Sequence, residues 1–223
     1  MTPAMGITVI TGANRGIGLE LAKQLSARGD EVVAAVRSSS AELDALGVRV
    51  IRGVDVTSDE GVQNLAERCT DTVDLLINNA GVLMPDSLDN LDFDTVRRQL
   101  EVNSIAPLRV TATLRKRLAH GSKVAILTSR MGSIADNTSG RMYGYRMSKA
   151  AVNAAGVSLA HELKPEGVAV VLLHPGYVQT DMTGGNGNIG AAEAATGLIA
   201  RIDELTLERS GKFLHQNGEE LPW

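Results

Sequence analysis

The chain of 223 residues has a single cysteine, four histidines and no excess of positive charge. With Cys69 alone no internal disulfide can form, so packing must hold the fold. Cys69 lies in the amphipathic stretch Gly61–Thr70 with no histidine close by in sequence, and it reads as a small buried apolar residue. A net charge of −4 gives no general pull towards nucleic acid or an anionic membrane surface. No apolar run is long enough to cross a bilayer. Met1–Thr11 lacks the basic start and apolar centre of an export signal. These absences predict a cytoplasmic protein without nucleic-acid or membrane partners. No group of histidine, cysteine and carboxylate has metal-ligand spacing, so no metal is expected, and His161 and His174 read as structural or surface residues.

What is present points to one globular α/β unit spanning 1–223, with 43% hydrophobic and 22% charged residues. Short apolar runs, rich in β-branched residues, recur at Ile7–Ile10, Val32–Val36, Val48–Ile51, Val73–Ile77, Lys123–Leu127, Val168–Leu173 and Lys212–His215. Each is apolar on both faces, as a parallel strand covered on both sides must be. Helical patterns fill the spaces at Gly18–Arg28, Glu60–Cys69, Asp92–Ala119, Tyr143–Leu163 and Ala191–Asp203. The alternation predicts a single Rossmann-type doubly wound domain, with a seven-stranded parallel sheet and helices on both faces. Thr183–Gly190, dense in Gly and Asn, predicts a substrate-covering loop at about 181–192.

The first strand runs into Thr11-Gly12-Ala13-Asn14-Arg15-Gly16-Ile17-Gly18 and then a helix. Glycines let the backbone approach a pyrophosphate, and the helix start offers free N–H groups to it. The second strand ends at Arg37, where an acidic side chain would select NAD; a guanidinium there suits a 2′-phosphate, and Arg15 offers a second cation. NADP is the expected cofactor. Asp55, followed by Val56, either accepts from adenine or caps the next turn. Asn78-Asn79-Ala80-Gly81 closes the fourth strand, where Asn locks neighbouring strands or lines a crevice.

Tyr145 and Lys149 stand four apart on one helix face. A phenol titrates near ~10, and a nearby ammonium favours its deprotonated form, so the pair suits proton exchange with a reacting oxygen. Ser129 follows the fifth strand at the edge where ligands bind, with Thr128 and Ser133 as neighbouring hydroxyls. Asn103 lies four residues before Pro107, which has no N–H to return to its carbonyl. That carbonyl either holds a relay water for Lys149 or is satisfied by solvent at a simple kink. Pro175-Gly176 makes a rigid turn that leaves the backbone around Val178 free for a carboxamide.

In family order, these residues resemble the short-chain dehydrogenase/reductase family over nearly the whole chain. The resemblance rests on Thr11–Gly18, Asp55, Asn78–Gly81, Asn103, Ser129, Tyr145-x-x-x-Lys149 and Pro175-Gly176. It implies a catalytic set of Asn103, Ser129, Tyr145 and Lys149, with Lys149 also on the nicotinamide ribose. It assigns Asp55 to adenine, Asn79 to the cofactor crevice, and Val178 with Thr180 to the nicotinamide amide. Asn14-Arg15, Ser129–Ser133, Tyr145–Lys149 and the ending Gly218–Trp223 are similar to the C-factor, Sniffer and carbonyl reductase branch. The branch implies an NADPH-dependent reductase of ketones or aldehydes, or else an NADP-binding signalling protein. The family also implies a homodimer or homotetramer, and the small residues Ala150–Gly156 permit close helix packing, against the sheet or across a subunit boundary. Two departures stand out: sixteen positions separate Ser129 from Tyr145, enlarging the loop around Asp136–Arg141, and Thr183–Gly190 is short, which predicts an open pocket.

Overall fold

Apolar runs of four to six residues cannot bury themselves alone, and here they pair side by side in one sheet. The computed structural model describes residues 7–223, so the reading of Met1–Gly6 lies outside the described residues. In chain order the elements begin with β1 (Ile7–Thr11), α1 (Gly16–Arg28), β2 (Glu31–Ala35), α2 (Ala41–Ala45), β3 (Arg49–Ile51), α3 (Asp59–Arg68) and β4 (Val73–Asn78). They continue with α4 (Phe93–Leu100), α5 (Ala106–Leu114), β5 (Leu118–Leu127), α6 (Tyr143–Leu163), β6 (Ala169–His174), β7 (Val178–Gln179), β8 (Ile189–Gly190), α7 (Ala191–Asp203) and β9 (Lys212–His215). Seven strands form a parallel sheet in the order β3-β2-β1-β4-β5-β6-β9. The chain winds outward from β1 in both directions, so a crevice opens beyond the carboxyl ends of β1 and β4.

Successive residues of each strand serve opposite faces, as the two-residue period requires. Val9, Val33, Val124 and Val170 pack under α3, α5 and α6 through Leu65, Leu114 and Val152. Ile10, Ala34, Ala125 and Val171 pack under α1 and α7 through Leu21, Leu25 and Leu198. With aromatics at 3%, the core is aliphatic, and Phe213 is buried at one edge with Trp223 stacked on it at 5.4 Å. Cys69, at the end of α3, is fully buried in the first of these layers.

Three sequence expectations change. The helix expected over Asp92–Ala119 is α4, a π-turn at Glu101–Ile105 and α5, because Pro107 cannot close the ordinary helical bond. That helix also stops early: Leu118 already pairs with Val73, and β5 runs from there. The Gly- and Asn-rich stretch expected as a substrate-covering loop carries its own internal ties, since Asn188 donates to the Tyr177 carbonyl at 2.7 Å and Ile189–Gly190 pairs with β7. It ends at Gly190, and Ala191 and Ala192 already belong to α7.

Gly18, in the first turn of α1, has no room for a side chain: a Cβ would lie 2.4 Å from both the Gly12 carbonyl oxygen and Asn79 Nδ2. Alanine would gain up to about 1 kcal/mol of helix propensity, but overpacking against backbone costs about 1–3 kcal/mol. Gly18→Ala is expected to destabilise the cofactor-free protein by about 1–2 kcal/mol net, lowering its melting temperature by about 2–8 °C. Thermal unfolding checks this, and an unchanged midpoint would show that the loop gives way freely.

Candidate active site

A cleft of about 850 Å³ opens over the carboxyl ends of the central strands. Its floor is built by a side-chain clamp between β1 and β4. Thr11 Oγ1 accepts from the N–H groups of Asn79 and Ala80, both at 3.1 Å. Asn79 Nδ2 donates back to the Thr11 and Gly12 carbonyls at 2.9 and 3.0 Å. Asn79 therefore locks the neighbouring strands as well as lining the cleft. Gly12, Asn14, Arg15, Gly16, Ile17 and Gly18 line the same cleft, and so do Ala80 and Gly81. The start of α1 has no side-chain cap and no acidic residue in its first turn, so its N–H groups are left for an external anion. This feature fits a dinucleotide pyrophosphate.

At one end of the cleft, Arg37 lines the wall beyond β2, and Asp55 and Val56 line it beyond β3. Asp55 Oδ1 accepts from the Thr57 N–H at 2.9 Å and the Thr57 hydroxyl at 2.7 Å. These bonds hold its carboxyl below the usual carboxylate range, so Asp55 caps its turn while still facing the cleft. Arg15 reaches across the mouth to Asp181 at 3.1 Å, with both side chains largely exposed. An exposed pair is worth about 0–1 kcal/mol, less than the ~1.5–3 kcal/mol of a hydrogen bond to a charged group. A phosphate would therefore outcompete Asp181 for Arg15. Sequence reasoning missed Ser38 and Arg98, which also line this end. Ser38 follows Arg37 directly and was readable as a neighbour of that cation. Arg98 lies on α4 and carries no local signal.

At the other end, α6 presents Tyr145 and Lys149 to the cleft. Lys149 Nζ donates to the Leu127 carbonyl at 2.9 Å and lies 5.8 Å from the centre of the Tyr145 ring. Burial brings the Lys149 pKa down to about 8. Burial likewise pushes the Tyr145 phenol up to about 12, opposed by a hydrogen bond with Ser129. The lowering expected from Lys149 is not found in the protein alone, where burial dominates and only Ser129 opposes it. The structure also chooses among the three hydroxyls. Thr128 donates to Asn153 Oδ1 at 2.7 Å, and Ser133 caps its own turn by accepting from the Asp136 N–H at 3.1 Å. Ser129, which accepts from the Met131 N–H at 3.2 Å, is the hydroxyl close enough to the phenol to oppose the effect of burial on it.

Asn103 sits within the π-turn, and its side chain is not part of the cleft lining but holds Val82, which is. Its amide accepts from the Val82 N–H and donates to the Val82 carbonyl, both at 2.8 Å, and it donates to Ser148 Oγ at 3.0 Å. Pro175 and Thr180 line the cleft, whereas Gly176 and Val178 do not. The Val178 carbonyl is taken by the Thr183 hydroxyl at 2.8 Å. His174 stands edge-on to His215 at 5.0 Å, and burial brings its pKa down to about 3, so it stays neutral. Among the described residues no cluster of histidine, cysteine and carboxylate is placed to hold a metal, and no helix is long and apolar enough to cross a membrane.

The comparisons with known proteins agree with this geometry. The chain is 46% identical over 226 residues to 1-hydroxy-2-glutathionyl-2-methyl-3-butene dehydrogenase of Rhodococcus sp. (strain AD45), covering 98% of this chain and all of that one. It is 47% identical over 158 residues to the C-signal of Myxococcus xanthus, covering 70% of this chain and 95% of that one. A solved short-chain dehydrogenase/reductase of Burkholderia multivorans with bound NADP superposes with a TM-score of 0.91 at 30% identity, over 99% of this chain and all of that one. The family model described as short chain dehydrogenase matches residues 6–188. With this fold, this cleft and these relatives, the chain belongs to the short-chain dehydrogenase/reductase family of oxidoreductases.

Proposed function

We propose that the protein reduces a ketone or aldehyde to an alcohol with NADPH, reversibly, using Asn103, Ser129, Tyr145 and Lys149. The observation that carries this reading is the Tyr145 phenol and the buried Lys149 ammonium together on the cleft wall, with the Ser129 hydroxyl acting on the phenol although it is not itself part of the lining. Bound in the cleft, the nicotinamide supplies the hydride. Ser129 and Tyr145 hold the carbonyl oxygen, and Tyr145 gives it a proton as negative charge develops there. Lys149 binds the nicotinamide ribose and stabilises the tyrosinate left behind. The Asn103 carbonyl, denied a partner by Pro107, holds the water that returns the proton.

For the cofactor, Gly12, Asn14, Arg15, Gly16, Ile17 and Gly18 take the pyrophosphate. Arg37 takes the 2′-phosphate, and Asp55 and Val56 the adenine. Asn79, Ala80, Gly81, Tyr145 and Lys149 take the nicotinamide half, with the Pro175-Gly176 turn, Val178 and Thr180 at the amide. Support for NADP over NAD comes from the guanidinium at the end of β2 and from the NADP-bound relative. The loop at 181–190 covers the substrate, with Met182 on the cleft wall. Exposed apolar side chains at Ile105, Leu108 and Met147, on adjacent helical segments, support a homo-oligomer. The similarity to 1-hydroxy-2-glutathionyl-2-methyl-3-butene dehydrogenase supports a glutathionyl-bearing alcohol as one substrate to try. A second reading, a signalling protein that binds NADP, is favoured by the similarity to the C-signal. NADPH consumption over a panel of aldehydes and ketones separates the two, because a sensor needs the phosphate loop but not Tyr145.

Tyr145→Phe is expected to lower turnover by about 10²–10⁴-fold while NADPH affinity, followed by fluorescence titration, stays within about twofold. Turnover retained in this variant would remove the phenol from the chemistry.

Arg37→Ala is expected to weaken NADPH binding by about 10- to 100-fold and to leave NADH binding nearly unchanged. Equal losses for both cofactors would show that Arg37 does not read the 2′-phosphate.

Lys149 is a buried cation whose folded pKa of about 8 lies below its ordinary 10.5. Below about pH 8 it is charged in both states, and the fold carries the whole cost, about 3 kcal/mol at most. From pH 8 to 10.5 the unfolded chain holds the proton and the folded protein does not, so stability rises with pH. Lys149→Met is therefore expected to stabilise the cofactor-free protein at pH 7 by about 1–2 kcal/mol, with a gain that fades above pH 8. Urea unfolding across this range checks the sign. A gain that grew with pH would contradict it.

A further inference from the structure

The helix that carries Tyr145 and Lys149 does not cap itself. Its N-cap, Met142, makes no side-chain bond, and its first turn has no acidic residue. Arg141 and Met142 both take positive φ, 57° and 55°, a conformation disfavoured for residues with a Cβ. The missing cap comes from far away in sequence. Asp86 Oδ1 accepts from the Tyr143 N–H and Asp86 Oδ2 from the Gly144 N–H at 2.8 Å, while the Asp86 carbonyl accepts from the Met142 N–H at 3.0 Å. One residue thus takes three consecutive N–H groups, and its carboxylate meets the positive end of the α6 dipole. Asp86 is only 5% exposed.

Asp86 is itself held through the extended segment Val82–Asp86. Two side chains four residues apart grip alternate residues of that segment as a neighbouring strand would. Asn103 pairs with both the N–H and the carbonyl of Val82. Gln99, fully buried, accepts from the Met84 N–H at 2.9 Å and donates to the Met84 carbonyl at 3.1 Å. The period of two brings the next alternate residue, Asp86, under the start of α6. The contact there is tight: a Cβ on Gly144 would fall 2.5 Å from Gln99 Nε2 and 3.1 Å from Asp86 Oδ2.

We propose that Asp86, braced by Gln99, is a positioning residue for Tyr145, fixing the first turn of α6 so that the phenol meets Ser129. This rests on the reading of Tyr145 as the proton donor and adds the group that aims it. No hydrogen bond joins Asp86 to the Gly12–Gly18 loop that takes the pyrophosphate, so its loss should act mainly on the chemical step and leave most of the hold on the nucleotide intact.

The test compares Asp86→Ala, Asp86→Asn, Tyr145→Phe and the Asp86→Ala/Tyr145→Phe double variant, using NADPH and the best carbonyl of the panel. Asp86→Ala is expected to lower kcat by about 10²-fold, with the NADPH Kd and the carbonyl KM within about twofold of the wild type. Asp86→Asn keeps one acceptor and should recover about tenfold of that loss. In the Tyr145→Phe background, Asp86→Ala should leave the residual rate unchanged, because its effect passes through the phenol. Wild-type kcat in Asp86→Ala overturns the proposal. So does a parallel loss of NADPH binding in Asp86→Ala and Asp86→Asn, or a full additional loss in the double variant. If Asp86→Ala does not fold, the isosteric Asp86→Asn decides: a lower kcat with unchanged Kd supports the assignment, and a wild-type kcat overturns it. Wild-type turnover in Tyr145→Phe would fault the parent reading, a result visible without any Asp86 variant.

Discussion

An ammonium group kept inside the protein, without a carboxylate beside it, is the constraint around which this molecule is arranged. Lys149 is 5% exposed, and its Nζ rests on the Leu127 carbonyl at the end of β5. That carbonyl is available because β5 ends there and the chain turns away through the short Arg130–Gly132 turn that Ser129 caps. The strand therefore does two things at its last residues: it satisfies the cation and it sets the hydroxyl. The helix does the rest. A spacing of four puts the phenol one turn before the ammonium, on the same face.

Burial acts on both groups in the direction that suits the proposed reduction. It raises the phenol to about 12, which keeps Tyr145 protonated, and it brings the ammonium down to about 8. In the protein alone the ammonium does not set the state of the phenol; desolvation does. In the proposed chemistry, oxidation of an alcohol would need the opposite, a tyrosinate able to accept, and the positive charge favouring it would come with an oxidised nicotinamide.

Much of this was legible in the sequence, for physical reasons that differ from element to element. Strands buried on both faces announce themselves as continuous apolar runs, so β1, β4 and β6 lay within a residue or so of their expected bounds. The Tyr143–Leu163 and Ala191–Asp203 helices lie where the pattern put them. The failures came where a local rule met a tertiary one. Pro107 signalled a disturbed helix, but not that the helix would widen into a π-turn and yield to β5 at Leu118, because that strand begins where Val73 is available to pair. Thr183–Gly190 has the composition of a free loop, yet Tyr177 and Val178 give its backbone and hydroxyl partners. Asn103 illustrates the same limit at the site. The proline spacing drew attention to its carbonyl, whereas the work of its amide on Val82 depends on a segment some twenty residues earlier, which no local pattern reveals.

The side-chain clamps share one logic. Asn79 ties the Gly loop to β4, Asn103 and Gln99 tie the segment after β4 to the helix that follows, and Asp86 ties that segment to α6. Each replaces a backbone pairing that the sheet cannot supply beyond its carboxyl edge, where strands end and a ligand has to enter. A site at a sheet edge gains access but loses the ladder that would hold it rigid. Amide and carboxylate side chains restore that rigidity because each offers two polar atoms in one plane, enough to hold paired backbone groups at once. Proton transfer needs donor and acceptor held within hydrogen-bond reach, and beyond the ends of the strands it is these side chains that hold the backbone in place.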